Sequence, residues 1–279
     1  MSAKHDSVLR TLTVALLVCL VCAVVVATAA VMLRPVQQKN KLLDKQMNIL
    51  AAAGLYEQGM DVPAAFENIE RRFVELESGN YVEMPGSYEQ RKAAKDPAQS
   101  VRLDGGIDIA SIKRQAKVAE VYLARDEQGA LSKIILPIHG YGLWSTLYGF
   151  IALQPDADTI AGLGFYEHAE TPGLGGEVDN PKWKAIWQGK ELFNEQGELA
   201  IQVIKGTVDN GASGAEHKVD GLAGASLTTN GVNNLVRFWM GENGFGPYLD
   251  KLRADAAAAP AADTQSEATP ATGEEVSNG

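Results

Sequence analysis

The run Val219-Asp220-Gly221-Leu222-Ala223-Gly224-Ala225-Ser226-Leu227-Thr228-Thr229 ends where an apolar periodicity begins. Val232, Leu235, Val236 and Trp239 recur at helical spacing, which predicts an amphipathic helix over Thr228 to Met240 with Gly241 as its stop. A helix start presents unpaired N–H groups and the positive end of the dipole, a setting suited to phosphate. The Ser226 hydroxyl, delivered there by a Gly/Ala loop, stands where a phosphate could be held or esterified. Two other readings compete. Thr228 or Thr229 could simply cap the helix. A hydrolase elbow needs G-x-S-x-G, which Gly224-Ala225-Ser226-Leu227-Thr228 does not match.

Two further motifs lie upstream. In Glu170-Thr171-Pro172-Gly173-Leu174-Gly175-Gly176-Glu177, the glycines let a backbone pass closely under a flat ligand or around a phosphate. It is no dinucleotide fingerprint, because Val178 stands where the third glycine is required. Gly140-Tyr141-Gly142-Leu143-Trp144-Ser145 carries an aromatic side chain in a bend, placed either to stack on a ring or to join the core. Lys218 precedes the first motif and could neutralise a phosphate. His139, His168 and His217 show no metal-binding spacing and read as surface or loop residues.

Around these motifs the second half alternates short apolar runs with turn residues. Strands are expected at Val118–Leu123, Lys133–Ile138, Leu147–Leu153, Thr159–Tyr166 and Ala200–Ile204, with a short helix over Asn180 to Gln188. The fold class is therefore α+β. Residues 61–116 read as short helical patterns and a loop around Pro85-Gly86, and from about Ala254 the composition is that of a disordered tail.

The N-terminal part has another character. Thr11 to Leu33 are 23 uncharged, mostly apolar residues between Arg10 and Arg34. As a helix they span about 34 Å, enough to cross a hydrocarbon core of about 30 Å. Ala27-Thr28-Ala29 offers the alternative of a cleaved signal peptide. Val36 to Ala53 predicts a helix continuing out of the span, stopped by Gly54. Arg34, Lys39, Lys41 and Lys45 outnumber Lys4 and Arg10, so a bare positive-inside count would keep the large domain in the cytoplasm. The only cysteines, Cys19 and Cys22, lie within the span, so no disulfide braces the rest. A net charge of −10 leaves no basic surface for nucleic acid.

Taken together and in order, the N-terminal span, G-L-W-S at 142–145, E-T-P-G-L-G-G at 170–176 and D-G-x-x-G-A-S-x-T at 220–228 resemble the C subunit of the Na+-translocating NADH:quinone oxidoreductase. The G subunit of the Rnf electron-transport complex shares the last two motifs and is the alternative within this resemblance. A non-redox binding or assembly module on the same scaffold is the alternative outside it. The resemblance implies a single transmembrane helix (11–33) after a cytoplasmic tail (1–10), and an extracytoplasmic FMN-binding domain (119–253) with a mixed sheet and flanking helices. Residues 34–118 would form a helical and irregular membrane-proximal part, and 254–279 the tail. It implies FMN joined through its phosphate to Ser226, where the family more often has threonine, installed by a flavin transferase. Gly224, Ala225 and Thr228 would flank the ester. Trp144, Glu170, Thr171, Gly173 and Leu174 would line the flavin pocket, with Lys218 near the phosphate. It further implies a bacterial inner-membrane location with the domain in the periplasm, and a role relaying single electrons among the flavin and iron–sulfur centres of partner subunits. Those subunits together oxidise NADH, reduce quinone and export Na+. No metal site is expected in this chain.

Overall fold

The computed structural model describes residues 8–258. The chain runs α1 (Val8–Ala52), α2 (Val62–Phe66), β1 (Ile69–Glu75), β2 (Asn80–Tyr81), α3 (Gln90–Ala93), β3 (Ser100–Arg102), β4 (Arg114–Ala116) and β5 (Val118–Arg125). It continues through β6 (Leu131–Tyr141), β7 (Thr146–Leu153), β8 (Ile160–Glu167), α4 (Pro181–Ala185), β9 (Gln202–Val203), β10 (Lys218–Val219), α5 (Ser226–Met240) and α6 (Gly246–Ala258).

Six strands form an antiparallel sheet in the order β2-β1-β5-β6-β7-β8. Among the described residues, parallel pairing is confined to β9 with β10. Both faces of the sheet are covered, which is why the strands read as nearly continuous apolar runs. Along β5, Val121 and Leu123 join the core beneath α5 with Val232, Leu235, Val236 and Trp239. The alternate residues Tyr122 and Ala124 join a second core with Ile49, Leu50 and Ala52 of α1 and with Ala53 just after it.

The membrane-span candidate and the helix expected after it are one element of 45 residues, with Pro35 inside it. Residues 8–33 are exposed throughout, as expected of a segment whose solvent is lipid. Beyond them α1 runs antiparallel to β8. The charge of Lys41 acts on Glu167 at the end of that strand, while the Ala52 carbonyl lies against Gly162, further back along it. The end of the sheet that carries the 142–145 turn therefore points along α1 toward the apolar segment.

Three expectations are corrected. The region 34–118 is not only helical and irregular, because β1 lies inside the main sheet, paired along its length with β5. Its charges hid it: Arg71 turns to the buried Glu120, and Arg72 stacks on Tyr81. Nor does the tail begin at Ala254, since α6 extends to Ala258; the remainder of the expected tail, like residues 1–7, lies outside the described residues. His139 is no loop residue. It sits in β6, stacked on Tyr148 at 5.3 Å and 4.9 Å from the Trp239 ring. Burial, aided by the Arg91 charge, pushes its pKa down to about 4.

Candidate flavin-binding site

Three loops meet at the α5 end of the sheet, and one carboxylate ties them together. Glu170 is buried, with Oε1 accepting the N–H groups of Leu143 (3.1 Å), Trp144 (3.0 Å) and Ser145 (3.3 Å). Its Oε2 accepts the Thr228 hydroxyl at 2.7 Å. The three motifs read separately in the sequence are thus joined at a single side chain. The two glycines that face it leave it room. A Cβ at Gly142 would lie 2.6 Å from Oε1, and one at Gly175 would lie 2.8 Å from Oε2 and 2.5 Å from the Thr228 hydroxyl. Burial pushes the Glu170 carboxyl up, but the bonds from Trp144, Thr228, Leu143 and Ser145 outweigh it and hold the group below the usual carboxylate range. Glu170 is therefore the tie between loops, where the sequence placed it only as a pocket wall.

Neighbouring bonds brace this tie. The Ala169 N–H donates to Ser145 Oγ at 2.7 Å, and the Glu170 N–H to His168 Nδ1 at 3.2 Å. His168 Nε2 is 2.8 Å from Asp179. The Thr171 carbonyl accepts from Leu174 (3.1 Å) and Gly176 (2.9 Å), closing a turn through Gly173, whose φ is +76°.

The segment before α5 is equally determined. The Asp220 carbonyl accepts the Trp183 indole N–H at 2.9 Å, and its carboxylate accepts the Val208 N–H at 2.8 Å. The Leu222 N–H donates to the Thr229 hydroxyl at 2.9 Å. Gly224 takes φ +73° beside Leu174, and the helix begins at Ser226, two residues earlier than the periodicity predicts. Ala225 occupies the cap position and supplies no side-chain bond. Neither threonine is a cap: both are buried, the Thr228 hydroxyl donating to Glu170 and the Thr229 hydroxyl accepting from the Leu222 N–H.

Ser226 differs from both. It is exposed in the helix's first turn and lines a cavity of about 280 Å³ with Lys205, Thr207, Asp220 and residues 221–224. The cation at this cavity is Lys205, a residue that no motif singles out. Lys218, the expected one, points its ammonium to the Ser213 carbonyl at 3.4 Å and does not line the cavity. An exposed hydroxyl, a helix N-terminus and a lysine fit a phosphate group. Trp144 in its turn and Leu227 in the first turn of α5, 66% and 60% exposed, leave large apolar surfaces free, and half-exposed Leu174 adds to them. Their chemistry suits a flat ring system.

Comparison with known proteins defines the class first. Residues 142–241 match the family model described as FMN-binding domain, a range that contains all three loops. The C subunit of the Na+-translocating NADH-quinone reductase of Pseudomonas aeruginosa is 56% identical over 257 residues, covering 90% of this chain and 98% of that protein. Its counterpart in Neisseria meningitidis is 51% identical over 250 residues, covering 89% and 95%. The crystal structure of NqrC from Shewanella oneidensis superposes with a TM-score of 0.71 at 35% identity, covering 78% of this chain and 99% of that one. The chain belongs to the family formed by the C subunits of Na+-translocating NADH-quinone reductases. The Rnf-type alternative is not supported by these relatives.

Proposed function

We propose that this chain is the membrane-anchored flavoprotein subunit of a Na+-translocating NADH-quinone reductase, with FMN esterified through its phosphate to Ser226 Oγ by a flavin transferase. The observation that carries this is the contrast among three neighbouring hydroxyls. Those of Thr228 and Thr229 are buried and hydrogen-bonded, whereas Ser226 is exposed at the cavity and accessible to a modifying enzyme. The first-turn N–H groups of α5 and the Lys205 ammonium receive the phosphate charge. Trp144, Leu174 and Leu227 flank the ring, Thr171 and Gly173 shape the loop beneath it, and Gly224 and Ala225 let the backbone approach. FMN supplies one- and two-electron chemistry; the protein holds its position and surrounds it with fixed dipoles. The subunit relays single electrons between iron–sulfur and flavin centres of its partners. Its domain stands in the periplasm, with the N-terminus cytoplasmic.

The intact mass of the purified full chain, expressed with a flavin transferase, tests this reading. The expected mass is that of the chain plus FMN less one water, with flavin fluorescence retained in a denaturing gel. Ser226→Ala should lose both signals and Ser226→Thr should keep both. Covalent FMN on the alanine variant, or a colourless wild-type chain, overturns the assignment. The cation assignment has its own check. Lys205→Met should lower the flavinylated fraction at limiting transferase several-fold, while Lys218→Met should leave it unchanged.

A further inference from the structure

One imidazole holds both ends of the loop that carries the glycine motif. His168 follows β8 directly, and only 13% of its side chain is exposed. Its Nδ1 accepts the Glu170 N–H at 3.2 Å, at the near end of the loop. Its Nε2 lies 2.8 Å from the carboxylate of Asp179, which ends a 3₁₀ turn (Gly175–Asp179) at the far end. A ring nitrogen that accepts an N–H carries no proton, so the proton sits on Nε2 and is donated to Asp179. The two bonds together select one neutral tautomer.

The segment between them shapes the cleft. Glu170 ties residues 143–145 to Thr228 through its carboxylate, so its main chain must stay in place for that tie to reach. At the tip Leu174 lies beside Gly224, two residues before Ser226, and buried Gly175 packs on Glu170 and the Thr228 hydroxyl. A proton added at Nδ1 turns that nitrogen into a donor facing the Glu170 N–H, and the bond between them is lost. The Asp179 bond gains charge and is kept. Asp179 is the carboxylate that faces the ring. The Glu170 carboxylate is turned to 143–145, and Glu167 at the end of β8 is bound by Arg91 of α3 at 2.7 Å. The 143–145 turn contributes the neutral Ser145, which accepts the Ala169 N–H. The charge on one imidazole therefore decides whether the start of this loop is held.

We propose that His168 is a positioning residue of the flavin site: neutral, it latches the loop 168–179 at both ends, and protonated, it frees the Glu170 main chain and with it the wall beside the ring. The proposal rests on the flavin reading above. Such a latch differs from a purely structural bond because it answers to pH while the core stays folded.

His168→Gln is the deciding variant, because its amide offers an acceptor to Glu170 and a donor to Asp179 but takes up no proton. His168→Ala removes both bonds. The visible circular dichroism of the flavin is followed in the full FMN-bearing chain in detergent from about pH 8 to 5, the range in which imidazoles change charge. Glu167, through its bonds to Arg91, and Glu170 are held below this range, and burial pushes His139 down to about 4. The wild type should show a reversible one-proton step. His168→Gln should keep the neutral spectrum throughout, His168→Ala should show the acid spectrum at every pH, and His217→Gln should titrate like the wild type. A wild type without the step, or a step that persists in His168→Gln, overturns the latch. Hydrogen exchange at about pH 7 reads the loop without the cofactor, in chains that also carry Ser226→Ala. There His168→Ala should speed exchange several-fold at 143–145 and 174–176 as well as at Glu170, and His168→Gln should not. Faster exchange at Glu170 alone overturns the latch. A wild-type chain lacking FMN would refute the cofactor reading separately, leaving the exchange result to decide the latch.

Discussion

Glu170→Ala should destabilise the domain by about 3 kcal/mol or more and disorder the surroundings of the flavin ring. The substitution removes the common acceptor of three backbone N–H groups and of the buried Thr228 hydroxyl. Leaving a buried donor unsatisfied costs about 1–3 kcal/mol, and here several donors lose their one acceptor together. Urea unfolding of the full chain in detergent measures the loss. Ser226 does not touch Glu170, so the flavin mass should persist in whatever fraction folds. Trp144, no longer held, should change its emission. Glu170→Gln keeps an acceptor oxygen and should cost less. The pH dependence separates the two. A carboxyl whose folded pKa is depressed stabilises fully above its unfolded value of 4.5, and that contribution is lost as pH falls through the lower folded value. Below pH 4.5 the wild type should therefore lose stability more steeply than Glu170→Gln. Parallel curves would show that the charge is not what ties the loops.

Gly231→Val should be as damaging, by a different route. Gly231 lies in the second turn of α5 where the helix crosses the end of β6. A Cβ there would come 2.6 Å from the Tyr141 carbonyl oxygen and 2.8 Å from the Gly142 Cα. Both are backbone atoms of the strand end that leads into the Trp144 turn, so no side-chain rotation relieves the clash. Overpacking of this kind costs about 1–3 kcal/mol, and the structure can relax only by lifting α5 off the hairpin. That movement separates Ser226 from Trp144 and pulls Thr228 from Glu170. Both a lowered urea midpoint and a lowered flavinylated fraction are expected. A variant that unfolds early but carries full FMN would show that the helix start and the turn need not stay in register.

What the sequence made legible follows from how each signal is encoded. The strands β5 to β8 and the helix carrying Val232, Leu235, Val236 and Trp239 stand out because apolar periodicity is local. Strand β1 does not, because its charges break the apolar pattern: Arg71 is satisfied by Glu120, distant in sequence, and Arg72 by Glu70 and the Tyr81 ring. Helix α6 is hidden in an alanine-rich run, although Pro247 in its first turn is an ordinary helix opener. At the site, the motifs marked three segments that the structure joins at Glu170. They could not say which lysine lines the cavity, since Lys218 is near Ser226 in the chain and Lys205 is near it in space. Nor could spacing distinguish three hydroxyls within four residues; burial does.

The helix that crosses the membrane and the helix that roofs one side of the sheet are the same helix, and this sets where the molecule can be divided. Excision at Gly54, just past the end of α1, would strip Ile49, Leu50, Ala52 and Ala53 from Tyr122, Ile135, Phe150 and Ala152, and the bared face would drive the fragment to aggregate. A water-soluble fragment has to keep the last turns of the stem and begin upstream of Lys45. Anchor and globule have no seam between them, only a shared length of chain that is lipid-facing at one end and core at the other.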